Sequence, residues 1–257
     1  MSHPENTLLA FTRAIEAGIE MIECDVNVSH DGHLVIIHDW SLQRTTDGCG
    51  KVEDFTLQEL QRLDAGSWRH PQFAGARIPT VKEIINMARE AGIYLCLEIK
   101  GRETRQAIQI ASQLVDLLVA EKALEWIALA SYSHEALAHA RQKQPDVWLA
   151  PERLPDNRPA DPPVALRQAQ NLRASVIQHN FSLVTPELVQ TLHRHDVAIW
   201  AWPPTTREEI VTTIESGVDG VMGDDAGLIV ALLDEHRVRR VLAPGAVSGE
   251  NSPHGPE

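Results

Sequence analysis

The chain is poor in cysteine, in aromatic residues and in positive charge, and each shortage narrows what it can be. Three cysteines in 257 residues (Cys24, Cys49 and Cys96) are an odd number, at spacings that fit neither a disulfide framework nor a zinc site. Reduced thiols and a cytoplasmic location are therefore expected. No apolar run approaches the ~18 residues of a membrane span, so stable membrane insertion is not expected. Met1 to Thr7 hold neither the basic stretch nor the apolar core of a secretory signal. Lysine and arginine total 23 against 36 aspartates and glutamates, a formal net charge of −13. Nucleic acid requires a basic face, so it is not an expected partner, and an anionic membrane surface would repel the chain. A small anionic substrate stays open, because one divalent cation reverses the local field.

What is present is an alternation. Hydrophobic residues make up 43% of the chain, enough for one large core. Strand-like stretches fall at 19–28, 34–37, 93–99, 126–130, 147–149, 175–178, 197–202 and 217–222, with helix-like stretches between them. Thr56 with Glu59, Thr80 with Glu83 and Thr206 with Glu209 read as capping boxes. Ser133 caps a helix start, Pro186 suits a first turn, and Gly18, Gly92 and Gly217 follow helical stretches as left-handed caps do. This β–α rhythm, without a dinucleotide glycine fingerprint, predicts a TIM (β/α)8 barrel. Residues 40–79 break the rhythm and read as a small insertion on the rim. The barrel domain is expected over 1–236, and the Pro-, Gly- and Ser-rich 237–257 as a disordered tail. The stretch 34–37 is too short and too close to its predecessor to be an independent unit. Setting it aside leaves seven barrel strands. The absent first strand would precede Met1, so Met1 is expected to be an internal methionine of a longer natural chain.

Three short pieces carry chemistry: Glu23-Cys24-Asp25, His38-Asp39 and Glu98-Ile99-Lys100. Each ends a β-reading stretch. Side chains two apart leave the same strand face, so Glu23 pairs with Asp25 and Glu98 with Lys100. Leu95, Leu97 and Ile99 take the helix-facing side, which points Glu98 and Lys100 inward at the C-terminal end, where barrel active sites sit. Three carboxylates carry about −3, which a divalent cation plus Lys100 would balance. Oxygen-only ligands suit Mg²⁺ or Ca²⁺ better than zinc. His38, at a strand end beside these acids, fits a general acid or base. His179 also ends a strand and is a second, weaker candidate. Glu5-Asn6 alone reads as no more than a helix start.

Together these residues resemble the glycerophosphodiester phosphodiesterase family. The strings are Pro4-Glu5-Asn6-Thr7, Ile22-Glu23-Cys24-Asp25-Val26, and Ile37-His38-Asp39 with Leu42, Arg44 and Thr45. They continue with Ile78-Pro79-Thr80, Leu97-Glu98-Ile99-Lys100, Ser131-Tyr132, Ala201-Trp202 and Gly217-Val218-Asp219-Gly220-Val221-Met222. The resemblance spans about residues 4–233 in order and spacing. It implies a phosphodiesterase-type barrel, with an insertion after His-Asp, that hydrolyses glycerophosphodiesters to an alcohol and glycerol 3-phosphate. It implies Glu23, Asp25 and Glu98 as ligands of a divalent cation, with Lys100 on the phosphate. His38 becomes one of two acid/base histidines, Glu5 an organiser of the site, and Trp202 a wall of the glycerol pocket. Two features depart from the family pattern. The first strand, with its His-Arg-Gly, is missing, and Trp202 is followed by Pro203-Pro204-Thr205 instead of Thr-Val-Asn. The first departure leaves open a catalytically impaired barrel that only binds metal and phosphate. A sphingomyelinase D-like phospholipase is a further alternative.

Overall fold

Thr7 opens the first helix by accepting a hydrogen bond from the Ala10 amide, and Gly18, left-handed at φ 86°, turns the chain out of it. The computed structural model describes residues 3–154 and 161–236; the expected tail at 237–257 lies outside them. Helix α1 (Leu8–Glu16) leads into β1 (Met21–Val28) and β2 (Leu34–Ile36). The rim segment contributes the short α2 (Leu57–Leu60). Then follow α3 (Val81–Ala91), β3 (Tyr94–Ile99), α4 (Thr104–Ala120), β4 (Ile127–Ala130), α5 (His134–Lys143) and β5 (Trp148–Leu149). The chain continues through α6 (Pro162–Asn171), β6 (Val176–Asn180), α7 (Pro186–His193), β7 (Ala198–Trp202), α8 (Arg207–Glu215), β8 (Gly220–Val221) and α9 (Ala226–His236). None of these helices is long and apolar enough to cross a membrane.

Of the eight strands among the described residues, β2 alone runs antiparallel, folding back on β1 as a hairpin. The seven others pair in parallel, as β1–β3–β4–β5 and β6–β7–β8, and a single bridge between Glu152 and Gln178 links the two sets. Parallel strands need helical crossovers, and each here has one. Among the described residues, no pairing joins β8 to β1.

The strand faces divide cleanly. Ile22, Cys24 and Val26 of β1, with Leu95, Leu97 and Ile99 of β3, pack outward against Ile84, Ile85, Ile110 and Leu114 of the helices. The inner face holds a second, smaller core. Trp148 and Trp200 meet edge to face at 5.6 Å, with Ala128, Ala130 and Ala150 beside them. Small residues opposite large ones let two indoles fit inside a narrow barrel.

All three capping boxes are present, Thr56–Glu59, Thr80–Glu83 and Thr206–Glu209, each satisfying amides at both ends of the first turn. The rim segment 40–79 has its own core of Leu42, Val52, Leu60, Ala65 and Ile78, packed under Val35 and Ile37. Asp64 organises it: the amides of Gly66, Ser67 and Gly75 and the Ser67 hydroxyl all donate to its carboxylate. Those donors hold it well below the usual carboxylate range. Gly66 is obligatory there, because a Cβ would lie 1.9 Å from the Phe73 carbonyl oxygen.

Candidate active site

The parallel register of β1 on β3 places Asp25 beside Glu98 and Glu23 beside Cys96. Three carboxylates thereby converge at the strand C-termini. Glu23, Asp25 and Glu98 each offer an oxygen, and these lie within 4.8 Å of one another. Lys100 Nζ stands 2.9 Å from Asp25 Oδ1 and 2.8 Å from Glu98 Oε2. Glu23 Oε1 is buried with no hydrogen-bond partner. Burial pushes the Glu23 carboxyl well up, and the neighbouring Asp25 and Glu98 push it further. Burial likewise raises Glu98 against the pull of Lys100. Burial also works against the Lys100 ammonium, but the Asp25 and Glu98 carboxylates outweigh it and hold its pKa above the ordinary lysine value. A buried carboxylate oxygen with no donor is a costly arrangement unless a cation meets it. The donor set therefore fits a divalent cation bound through oxygen.

Two backbone features aim these groups. Asn6 sits in the left-handed region at φ 55°, which asparagine tolerates better than most residues. From there its amide donates to Asp25 Oδ2 at 2.7 Å, and its Oδ1 accepts from the Asp25 amide at 3.2 Å. Gly101 turns the chain sharply after Lys100 at φ 60°, where a Cβ would come within 2.6 Å of the Ala107 nitrogen.

His38 projects from the end of the β2 hairpin with its side chain half exposed. Asn27, inward-facing on β1, donates to the Ile37 carbonyl at 2.8 Å and pins that turn. His38 Nδ1 lies 2.7 Å from Asp39 Oδ1. Arg44 approaches the same carboxylate with Nε at 2.7 Å and Nη2 at 2.9 Å. Its outer edge forks onto Glu5 at 2.8 and 2.7 Å. The hydrogen bonds from Arg44 are the main reason the Asp39 carboxyl is pushed down to about 2. Asp39 is thus anionic at any physiological pH, holds the Nδ1–H of His38, and leaves Nε2 for a substrate proton. Glu5 lines the cavity, braced from behind by Arg44.

On the opposite wall Trp202 Nε1 donates to Glu152 Oε2 at 2.7 Å, and its ring meets Tyr132 edge-on at 6.3 Å. Sequence reasoning missed Glu152. The available signal was the one used elsewhere, an acid just past a strand, here Trp148–Leu149. Burial first, and Glu98 second, push the Glu152 carboxyl up to about 8. The folded chain therefore holds a proton there that the unfolded chain loses above about pH 4.5. Because the native state binds more protons across that window, this group makes stability fall as pH rises from about 4.5 to about 8. Glu152→Gln keeps an acceptor for Trp202 but cannot titrate. In EDTA its melting temperature is expected to exceed the parent's at pH 7–8 by on the order of 5 °C, with the gap closing below pH 5. Parallel Tm-versus-pH curves for the two proteins would contradict this.

His179 does not join the site. Its Nε2 accepts from Arg153 Nη1 at 2.8 Å, since a guanidinium only donates, and its Nδ1 lies 2.9 Å from the Asn180 carbonyl. It is buried away from the main cavity, whereas its neighbour Gln178 lines it.

The cavity over these groups measures about 770 Å³ and continues between β1, β8, α1 and α9. Fold and site together define the class: a barrel hydrolase of phosphoric diesters. The sequence profile of the glycerophosphoryl diester phosphodiesterase family matches residues 1–228, and the chain belongs to that family. A glycerophosphodiester phosphodiesterase of Caldanaerobacter subterraneus subsp. tengcongensis is 32% identical over 230 residues, covering 90% of this chain and 92% of that one. Among solved structures, an Oleispira antarctica phosphodiesterase in complex with the product sn-glycerol-3-phosphate superposes with a TM-score of 0.82. It is 27% identical, covering 91% of this chain and 92% of that chain. A glycerophosphodiester phosphodiesterase of Agrobacterium tumefaciens shares the fold at TM-score 0.76 and 24% identity, over 89% of this chain and 94% of that chain.

Proposed function

We propose that this chain hydrolyses glycerophosphodiesters to an alcohol and glycerol 3-phosphate in a reaction that depends on a divalent cation. The observation that carries the reading is the convergence of Glu23, Asp25 and Glu98 within 4.8 Å, with one buried carboxylate oxygen unpartnered. Glu23, Asp25 and Glu98 would hold the ion. Mg²⁺ or Ca²⁺ suits an all-oxygen donor set. When bound, such an ion polarises phosphoryl oxygens as a Lewis acid. Lys100 places a fixed positive charge where the phosphate gains negative charge. His38 acts as general acid/base through Nε2, held in one tautomer by Asp39. Hydrolysis breaks the bond from phosphorus to the alcohol oxygen, forms one to a water oxygen, and returns a proton to the departing alkoxide. Glu5, through Arg44 and Asp39, braces His38. Trp202, fixed by Glu152, offers an aromatic face to the glycerol carbons. The names of the relatives, and the product seen in the Oleispira antarctica enzyme, favour the same substrate class. The unpaired Cys24, Cys49 and Cys96 support a reducing, cytoplasmic setting.

A second reading is a chain that binds cation and phosphate but turns over slowly. It is favoured by the scarcity of histidine at the site: among the described residues His38 and His3 line the cavity, and His179 does not. Absence of a second acid/base typically lowers the rate by ~10²–10⁴.

Release of glycerol 3-phosphate from glycerophosphocholine, glycerophosphoethanolamine and glycerophosphoglycerol tests both readings. Turnover with Mg²⁺ or Ca²⁺ that disappears in EDTA is the expected result. Turnover indifferent to the chelator would overturn the cation dependence. A folded, cation-binding chain that releases no product would establish the second reading.

A further inference from the structure

A second cavity of about 580 Å³ opens beside the first, between the turn after His38 and the loops that follow β3 and β4. The two cavities share His38, Glu98, Lys100 and Tyr132 as walls. A phosphodiester carries two alcohol arms on one phosphorus. With the phosphate at Lys100, the arms must diverge, and two cavities diverge from that point. Trp202 and Glu152 stand in the first cavity only. The second is distinguished by Trp40 and Arg102.

Trp40 is among the most exposed large hydrophobic residues of the chain, at 51%. Arg102 lies over it, the guanidinium carbon 4.6 Å from the ring centroid. Two things hold Arg102 in place. Its amide donates to Gln106 Oε1 at 2.8 Å, and its Nη1 reaches Glu53 Oε1 at 3.4 Å. The other charges of this cavity are already matched: Asp39 is engaged by Arg44 and His38, and Glu98 by Lys100. The stacked guanidinium is paired as well, with Glu53 through Nη1, but its remaining N–H donors stand on the wall that an incoming group meets. It also covers one face of the indole, where a quaternary ammonium would otherwise stack. What remains is a fork of N–H donors above an aromatic edge, with the hydroxyl-bearing Tyr132 opposite, at 44% exposure. Such a surface hydrogen-bonds hydroxyls and carboxylates and repels cations.

Resting on the functional reading above, we propose that this second cavity receives the departing alcohol and that the Trp40–Arg102 stack selects hydroxyl-rich, uncharged or anionic head groups over quaternary ammonium ones. The test compares kcat/KM for glycerophosphoglycerol and glycerophosphocholine. The parent chain is expected to favour the glycerol diester about tenfold, the size of effect that like charges ~6 Å apart produce at a partly exposed site. Arg102→Gln should shrink that ratio about tenfold through a lower KM for the choline diester, and Arg102→Glu should shrink it further. Trp40→Ala frees the guanidinium and should raise KM for the glycerol diester while leaving kcat within about twofold. Equal efficiency on both diesters in the parent, or an Arg102→Gln effect identical for both, would overturn the proposal alone. A folded chain that hydrolyses neither diester would overturn the functional reading and this inference with it.

Discussion

Glu98→Ala is expected to abolish cation-dependent turnover while leaving the barrel folded. Glu98 is the next-to-last residue of β3, with its side chain only 12% exposed, and supplies one of three converging carboxylates. Without it a cation keeps two, and the oxygen donor set is incomplete. The fold should tolerate the change, because burial already disfavours the charged form of Glu98 and Lys100 retains Asp25 at 2.9 Å. Two readouts separate these effects. Activity should fall by at least ~10³-fold. Stability in EDTA should stay within ~1 kcal/mol of the parent, a few degrees in Tm. The parent should also gain ~2.7 kcal/mol when the cation is present at about a hundredfold its dissociation constant, and the variant should gain almost none. A variant that keeps the cation-induced rise in Tm would refute the assignment of Glu98.

Lys100→Met is expected to do the opposite, damaging the fold before the chemistry is examined. Methionine matches the lysine stem in length and has no charge. Removing the ammonium leaves Asp25 and Glu98 without the cation that lies 2.9 and 2.8 Å away, next to a Glu23 whose Oε1 already lacks a partner. Breaking one side of a buried ion pair typically costs ~3–5 kcal/mol. Urea unfolding in EDTA should show a loss of that order. Added Mg²⁺ or Ca²⁺ should recover much of it, because the ion takes over the counter-charge. Turnover should remain ~10²–10³-fold below the parent even when the fold is restored, since the charge proposed to face the phosphate is gone. Parent-like stability in EDTA would show that Lys100 does not balance the acidic cluster.

Much of the fold was legible because its signals are local. The alternation of β1 and β3 follows from a period of two, so Glu23 with Asp25, and Glu98 with Lys100, could be assigned to one face each without knowing any neighbour. Thr56–Glu59, Thr80–Glu83 and Thr206–Glu209 span three residues, and a capping box needs nothing further away. The brevity of the stretch at 34–37 was itself informative: the structure makes it an antiparallel partner of β1 and leaves seven strands in the parallel set.

Other features had no local signature. Asn6 looked like a helix start, yet it clamps Asp25 across 19 positions. Arg44 joins Glu5, 39 positions away, to Asp39. Glu152 and Trp202 meet across 50 positions, and Trp40 finds Arg102 on a different loop. Residue types, strand faces and helix ends are thus what the sequence by itself determined, because backbone periodicity and capping act over three or four residues. The register that sets Asp25 beside Glu98, the braces behind His38 and Trp202, and the divergence of two cavities from one lysine were decided only by tertiary structure. Each joins groups whose separation along the chain follows no period, so no pattern in the chain records it before the barrel forms.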